Sequence, residues 1–531
     1  MSRRAPSRYD VVIVGGGHNG LVTACYLARA GLAVCVLERR SILGGAAATV
    51  EFHPGFRNSV AAYTVSLLQP KVIRELRLAE HGLKILERPM ANFLPLDEQR
   101  YLCIGSGLAA TQRELARFST RDAERLPAFA AMMERIAELL RALVLRTPPN
   151  VGGGWRDLVA ALRFGSRLRG LDMEGRRDLL ALFSQSAAEL LDHWFECDGL
   201  KAAYGFDAVV GNYASPQHPG TAYVLMHHNF GEVNGRRGVW GHAVGGMGAI
   251  SDALAAEARR LGVELRTGAA VARVEVRAGR ACAVVLADGT EIGARAVASN
   301  VNPRLLYLEL LDAAALPPEI VARMRAYRCA SASFRMNVAL AELPRFRCLP
   351  GPGPHLAAGI IMAPSLGYME RAYADARDDG MARAPIVEML VPSTVDDSLA
   401  PPGRHVASLL CQHFDPGADW PARREEAVRR IFDVVEAHAP GFKASVLGYS
   451  ALSPWDLERE FGLVGGDIFH GALRLDQLWA ARPLLGLAAY RGAVRGLYHC
   501  GAGAHPGGGV SGAPGHNCAA EMLRDLRARR W

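Results

Sequence analysis

YDVVIVGGGHNGLVTACYLARAGLAVCVLERRSILGGAAAT, running from Tyr9 to Thr49, is the stretch that decides the fold. The apolar run Val11 to Val14 after Asp10 predicts a buried parallel strand. Gly15, Gly17 and Gly20 follow in GxGxxG spacing and open a helix through Ala24, Leu27 and Ala28. A second apolar strand, Ala33 to Leu37, ends on Glu38. The three glycines serve a tight turn, close backbone approach to a pyrophosphate, and close helix–strand packing. Free N–H groups at the helix start hold the phosphates, and an acid at the end of the second strand holds ribose hydroxyls. Strand, glycines, helix, strand and acid in this order predict a dinucleotide site. Glu38 argues against an adenine 2′-phosphate, since two negative charges would repel, although Arg39 and Arg40 stand next to it.

Length and composition fit a large α/β protein. A chain of 531 residues, half of them apolar, can bury two or three cores. No apolar run approaches the roughly 20 residues of a membrane helix. The prefix MSRRAPSR is basic without an apolar stretch, which argues against a secretory signal. The net charge of +8 is carried by dispersed arginines, with only four lysines. With no interleaved aromatic pattern, nucleic acid is excluded as a partner. Ten cysteines occur without a CxxC pair, so neither a redox disulfide nor a zinc site is expected.

Beyond Glu38, ERRSILGGAAAT places Gly44 and Gly45 six residues on. That stretch resembles the FAD signature shared by monoamine oxidases and phytoene desaturases, in which the glycine pair passes close to the cofactor. LYHCGAGAHPGGGVSGAPGHNCAAEML, Leu497 to Leu523, is similar to the same family's second flavin motif. HHNFGEVNGRRGVWGHAVGGMGAI (His227–Ile250), FGLVGGDIFHGALRLDQLWAARP (Phe461–Pro483) and DDSLAPPGRH (Asp396–His405) are similar to a phytoene-desaturase-related branch. That branch takes its name from pyridine nucleotide-disulfide oxidoreductase domain-containing protein 2. The resemblance implies a Rossmann-type FAD-binding domain with an inserted substrate domain of mixed sheet and helices. Residues 1–95, 236–305 and 486–531 would form the FAD-binding domain. Residues 96–235 would be a largely helical cap, and residues 306–485 the substrate domain with its sheet. A second GxGxxG string at Gly507, Gly509 and Gly512 has too few residues after it for the ~30-residue unit of an NAD site.

The expected FAD contacts are Gly15, Gly17, His18, Asn19, Gly20, Glu38, Arg39, Gly44, Gly45 and Ala46 in the first motif. The resemblance adds Val271 at the adenine and Gly501, Ala502 and Gly512 in the second motif. It implies hydride transfer from, or isomerisation of, a hydrophobic isoprenoid or lipid substrate. FAD-dependent amine oxidation, and a flavin-holding regulatory or partner-binding protein, are the alternatives. No nucleophile stands out, and His505 and Trp240 are the catalytic candidates. His505 interrupts the glycine loop and serves either as acid/base or as a loop-fixing hydrogen bond. The adjacent His227 and His228 do not form a metal site. WRDLVAALRFGSRLRGL, Trp155 to Leu171, is basic and amphipathic. It is read as a solvated face packed on its neighbours, with contact to a membrane surface as the alternative. The reading is a cytoplasmic protein, in the mitochondrial matrix if the chain is eukaryotic, with a protein partner allowed by the resemblance.

Overall fold

The computed structural model describes residues 8–105, 107–150 and 152–530. The basic prefix up to Ser7 lies outside them. The Tyr9–Val14 strand pairs in parallel with Val34–Leu37 on one side and Glu291–Ser299 on the other. Glu264–Arg266 extends the sheet beyond Val34–Leu37, and Leu497–His499 pairs in parallel with the end of Glu291–Ser299. An antiparallel meander, Val271–Arg277 and Arg280–Leu286, completes it. The sheet is therefore assembled from the beginning, middle and end of the chain. Val11, Val12 and Ile13 are fully buried, as a strand covered on both faces requires. Each such burial contributes about 1.5–3 kcal/mol. The helices Gly248–Arg260 and Ala513–Arg527 both pack on the helix His18–Arg29.

A second seven-stranded sheet carries the substrate region. Its order is Val446–Leu452, Ser333–Leu340, His405–Phe414, Met381–Leu390, Gly359–Met362, Asn92–Pro95 and Tyr101–Ile104. The Asn92–Pro95 strand, ahead of residue 96, pairs with Gly359–Met362 and so belongs to this sheet. Tyr101–Ile104 adds a strand inside the segment read as largely helical. The remaining cap is helical, and its start signals are local. Ser119 Oγ accepts from the Asp122 N–H to begin Thr120–Val144. A Ser186–Glu189 capping box begins Ala187–Trp194. Buried amides tie the second sheet to the short hairpin Thr49–His53 and Phe56–Ser59 that follows the first glycine motif. Asn58 donates to Asn337 Oδ1 (2.8 Å), and Asn337 donates to the Ser59 carbonyl (2.9 Å).

Candidate functional site

At the end of Tyr9–Val14 the chain turns on Gly15, whose φ of +98° favours glycine. The helix His18–Arg29 then starts at Gly17 without a side-chain cap. Its first N–H groups and the positive end of its dipole are thus available to an anion. Gly44 donates its N–H to the Gly16 carbonyl (2.9 Å), laying the glycine pair along the first loop. A Cβ on Gly17 would fall 2.8 Å from the Asn300 amide nitrogen, and one on Gly20 only 2.4 Å from the Gly15 carbonyl. Glu38 is buried, and its carboxylate accepts the N–H groups of Gly16 (2.8 Å) and Arg40 (2.9 Å). These two bonds fix its orientation and leave lone pairs for ribose hydroxyls. Arg39 is drawn away to the Arg459 carbonyl, and Arg40 lies 4.4 Å over the Phe461 ring.

These segments enclose a cavity of about 310 Å³. Its wall brings together Gly15, Gly17, His18, Asn19, Glu38, Arg39, Gly44, Gly45, Ala46, Val271 and Ala502. Gly20, Gly501 and Gly512 stand behind it: a Cβ on Gly501 would meet the Asn300 carbonyl at 2.6 Å, and Gly512 (φ +70°) precedes the last helix. Asn300, Leu305, Glu309, Phe461 and His470 also line the cavity. Asn19 Oδ1 and His470 Nδ1 are buried there without a hydrogen-bond partner. Each orphan costs about 1–3 kcal/mol unless a bound molecule supplies the missing partner. Burial pushes the pKa of His18 and of His470 down to about 4, so both face the cavity uncharged. Uncapped helix, glycine cradle, ribose acid and orphaned polar atoms together fit FAD.

The second glycine loop is held by a residue that the sequence does not single out. Arg482 is fully buried and donates to the carbonyls of Phe469 (2.7 Å), Gly471, Gln477 and Ala502 (2.8 Å). Asp467 accepts the N–H groups of Phe469 and Gly471 from the same turn. His505 lies outside the 310 Å³ cavity. Its Nε2 donates to the Leu143 carbonyl (3.1 Å), and its ring stands edge-on to Trp479 at 4.6 Å. Burial drives its pKa down to about 3, and its bond to Leu143 ties the glycine loop to the helix Thr120–Val144.

A chain of aromatic and polar side chains leads inward from this loop. His227 is buried with both ring nitrogens unpartnered, and it packs edge-on against Phe469 (5.7 Å). His228 donates from Nδ1 to the Val224 carbonyl and stacks on Trp240 (6.3 Å). Among the described residues no group of three metal-ligating side chains occurs. Arg88 lies 5.5 Å over the other neighbour of His228, the Trp240 ring. Tyr63 donates to Glu388 (2.5 Å), and Arg335 lies 4.6 Å over the Tyr63 ring. Tyr204, Asp207 and His228 are each only partly buried. Burial, reinforced by Glu388, pushes the Asp207 carboxyl up to about 8. Of this group only Trp240 and the two histidines are legible as candidates in the sequence.

Comparison with known proteins agrees with this geometry. Residues 20–333 match the family model described as flavin containing amine oxidoreductase. The chain is 40% identical to pyridine nucleotide-disulfide oxidoreductase domain-containing protein 2 of Rattus norvegicus, over 98% of this chain and 94% of the relative. It is 26% identical to a lycopene-forming phytoene desaturase of Pseudescherichia vulneris, over 97% and 99% of the two chains. The fold is similar to cyclohexylamine oxidase from Brevibacterium oxydans IH-35A, with a TM-score of 0.58 at 17% identity, covering 98% of this chain and 100% of the other.

Proposed function

Because the chain belongs to the flavin containing amine oxidoreductase family and is an FAD-dependent oxidoreductase, we propose that it removes a hydride from a largely apolar isoprenoid or lipid-like molecule. The observation that carries this reading is the cluster of aromatic rings, Phe230, Trp240 and Phe469, packed on His227 and His228, with His227 beside Gly509 of the second glycine loop. Bound FAD supplies the acceptor for the electron pair. Gly15, Gly17 and the uncapped helix start would hold its pyrophosphate, and Glu38 its ribose. The aromatic wall orients an apolar chain and keeps water out. His227, neutral because burial holds its pKa well below the ordinary value, is placed to donate or accept one hydrogen bond beside Gly509. Amine oxidation is the second reading, since the buried carboxylate of Glu388, beside Tyr63, would attract an ammonium. Flavin-loaded protein mixed anaerobically with fractionated lipid extract should lose its visible flavin absorption with at least one fraction. A complete screen without reduction would favour a flavin-holding, partner-binding protein instead.

We also propose that this chain meets its substrate at an anionic membrane surface. Among the described residues no helix is long and apolar enough to cross a membrane. The exposed large apolar side chains are nevertheless concentrated. Trp155 (71% exposed), Leu158, Leu162, Met173 and Leu180 all lie on the helices Trp155–Arg169 and Met173–Ser184. Arg163, Arg169, Arg176 and Arg177 accompany them. Exposed apolar surface rimmed by arginine suits the headgroup region of an acidic bilayer. Beneath the first helix a cavity of about 470 Å³ runs past Phe164 to Trp479, whose ring touches His505 of the glycine loop. Flotation with vesicles rich in phosphatidylglycerol should recover the protein, and Leu158→Asp with Leu162→Asp should reduce recovery at least about tenfold, since each charge opposes insertion of the apolar face. Equal recovery of the variant would contradict this route.

A further inference from the structure

We propose that the arginine-lined cavity beneath the helix Trp155–Arg169 binds the phosphomonoester headgroup of a membrane lipid such as phosphatidate. This rests on the membrane-surface reading above and deepens it. The helix divides into two faces. Asp157, Ala160 and Phe164, at three- and four-residue spacing, turn toward the cavity of about 470 Å³. Leu158 and Leu162, 61% and 64% exposed, lie on the opposite face with Trp155. The other walls are the turn after Thr120–Val144, the ring of Trp479 and the last helix, Ala513–Arg527. With the outer face seated in a bilayer, the cavity stands one helix diameter, about 10 Å, behind it, at the level of the headgroups.

Five arginines line this cavity: Arg146, Arg163, Arg491, Arg524 and Arg530. Its carboxylates are Asp157 and Glu521, with Asp525 directly behind Arg491. Five cations against three carboxylates, all counted as ionised, leave two positive charges in excess. Protonation of His516 in the same wall would only raise that excess. The carboxylates are already engaged by the protein. Arg491 donates to Glu521 (2.9 Å) and twice to Asp525 (2.7 and 2.8 Å). Arg524 and Thr147 also donate to Glu521, Tyr498 donates to Asp525 (2.9 Å), and Asp157 accepts the Asn150 N–H (2.9 Å). Arg146 and Arg163 are the surplus: both are exposed at the mouth, and among the described residues neither meets a carboxylate. The Arg146 side chain donates to the Ala142 carbonyl (3.0 Å). Arginine forks match the oxygens of a phosphate, and a phosphomonoester dianion offsets an excess of two. A zwitterionic headgroup would bring a further cation into it. The rings of Phe164 and Trp479, 5.6 Å apart, give the first acyl carbons an apolar wall.

The test uses the flavin-loaded full chain and three water-soluble probes read by calorimetry: dihexanoyl phosphatidate, dihexanoyl phosphatidylcholine and inorganic phosphate. Phosphatidate should bind at least about tenfold tighter than either of the others, because only it joins a dianion to acyl carbons. Arg146→Gln with Arg163→Gln should lower phosphatidate affinity at least about tenfold at unchanged flavin content, since two charge-assisted contacts are lost. Arg169→Gln, on the same helix but outside the cavity wall, should leave the affinity unchanged. Phosphatidylcholine binding as tightly as phosphatidate would overturn the phosphate site. Inorganic phosphate binding as tightly would make it a site for a free anion, which overturns the lipid. Unchanged affinity in the double variant would place the phosphate elsewhere and overturn the proposal too. Absence of phosphatidate binding, with flotation on phosphatidylglycerol vesicles intact, would overturn the site and leave the membrane reading standing. Absence of both would overturn both. The ranking of probes on the unmodified protein decides the matter even if the double variant does not fold.

Discussion

Gly17→Val is expected to give folded protein that purifies without flavin. The backbone at Gly17 (φ −70°) accepts any residue, so the substitution carries no backbone strain. The obstacle is space: a Cβ there falls 2.8 Å from the Asn300 amide nitrogen, and valine's two further methyl groups project into the cavity wall that Gly17 forms with Gly45. Asn300 itself is held by its bond to the Gly15 carbonyl (3.2 Å), which restricts its retreat. FAD affinity should fall at least about 100-fold, or about 2.8 kcal/mol. Alanine at the same position should fall between, because only the Asn300 amide must shift. Circular dichroism and flavin content per chain check this together. A valine variant that retains one flavin per chain would place the cofactor elsewhere.

Arg482→Met should have the largest effect on stability. Methionine replaces the stem but removes every donor, leaving the carbonyls of Phe469, Gly471, Gln477 and Ala502 buried and unpaired. Orphaned acceptors cost about 1–3 kcal/mol each. Losing one partner of a buried charged network costs about 3–5 kcal/mol, which we take as the expected loss after relaxation. Asp467, across the same turn, would also lose a nearby cation whose charge now favours its ionised form. Arg482→Lys should recover less than half, since an ammonium has three donors and no fork. Urea unfolding of flavin-loaded protein measures both variants, and an unchanged midpoint for Arg482→Met would show that the loop is held by other contacts.

The cofactor half of the molecule is legible because its signals are local and fixed in spacing. Gly15, Gly17, Gly20, Glu38 and the Gly44–Gly45 pair lie within one 41-residue stretch, and the apolar runs beside them are those of strands buried on both faces. The substrate half is built from long-range pairings that leave no local mark. The strand Asn92–Pro95 joins Gly359–Met362 across more than 250 residues, and nothing in NFLP distinguishes it from a strand of the first sheet. Tyr63, Arg88, Asp207, Arg335 and Glu388 come from five separated segments. Each alone reads as an ordinary polar residue, and their meaning arises from burial beside one another. Arg482 illustrates the same limit, since a fully buried arginine in WAARPLL looks like any surface arginine until its carbonyl partners are in place. Trp155 to Leu171 is a different case: its amphipathic pattern is visible, but only the fold shows its apolar side facing outward.

The proposed reaction brings electrons to the flavin from an apolar organic substrate. It is tested most directly by anaerobic titration of flavin-loaded protein with NADPH and NADH, following the visible absorption of the flavin. Neither nicotinamide is expected to bleach the flavin, while dithionite and a lipid fraction both should. Rapid stoichiometric bleaching by either nicotinamide would contradict it and make the chain a reductase.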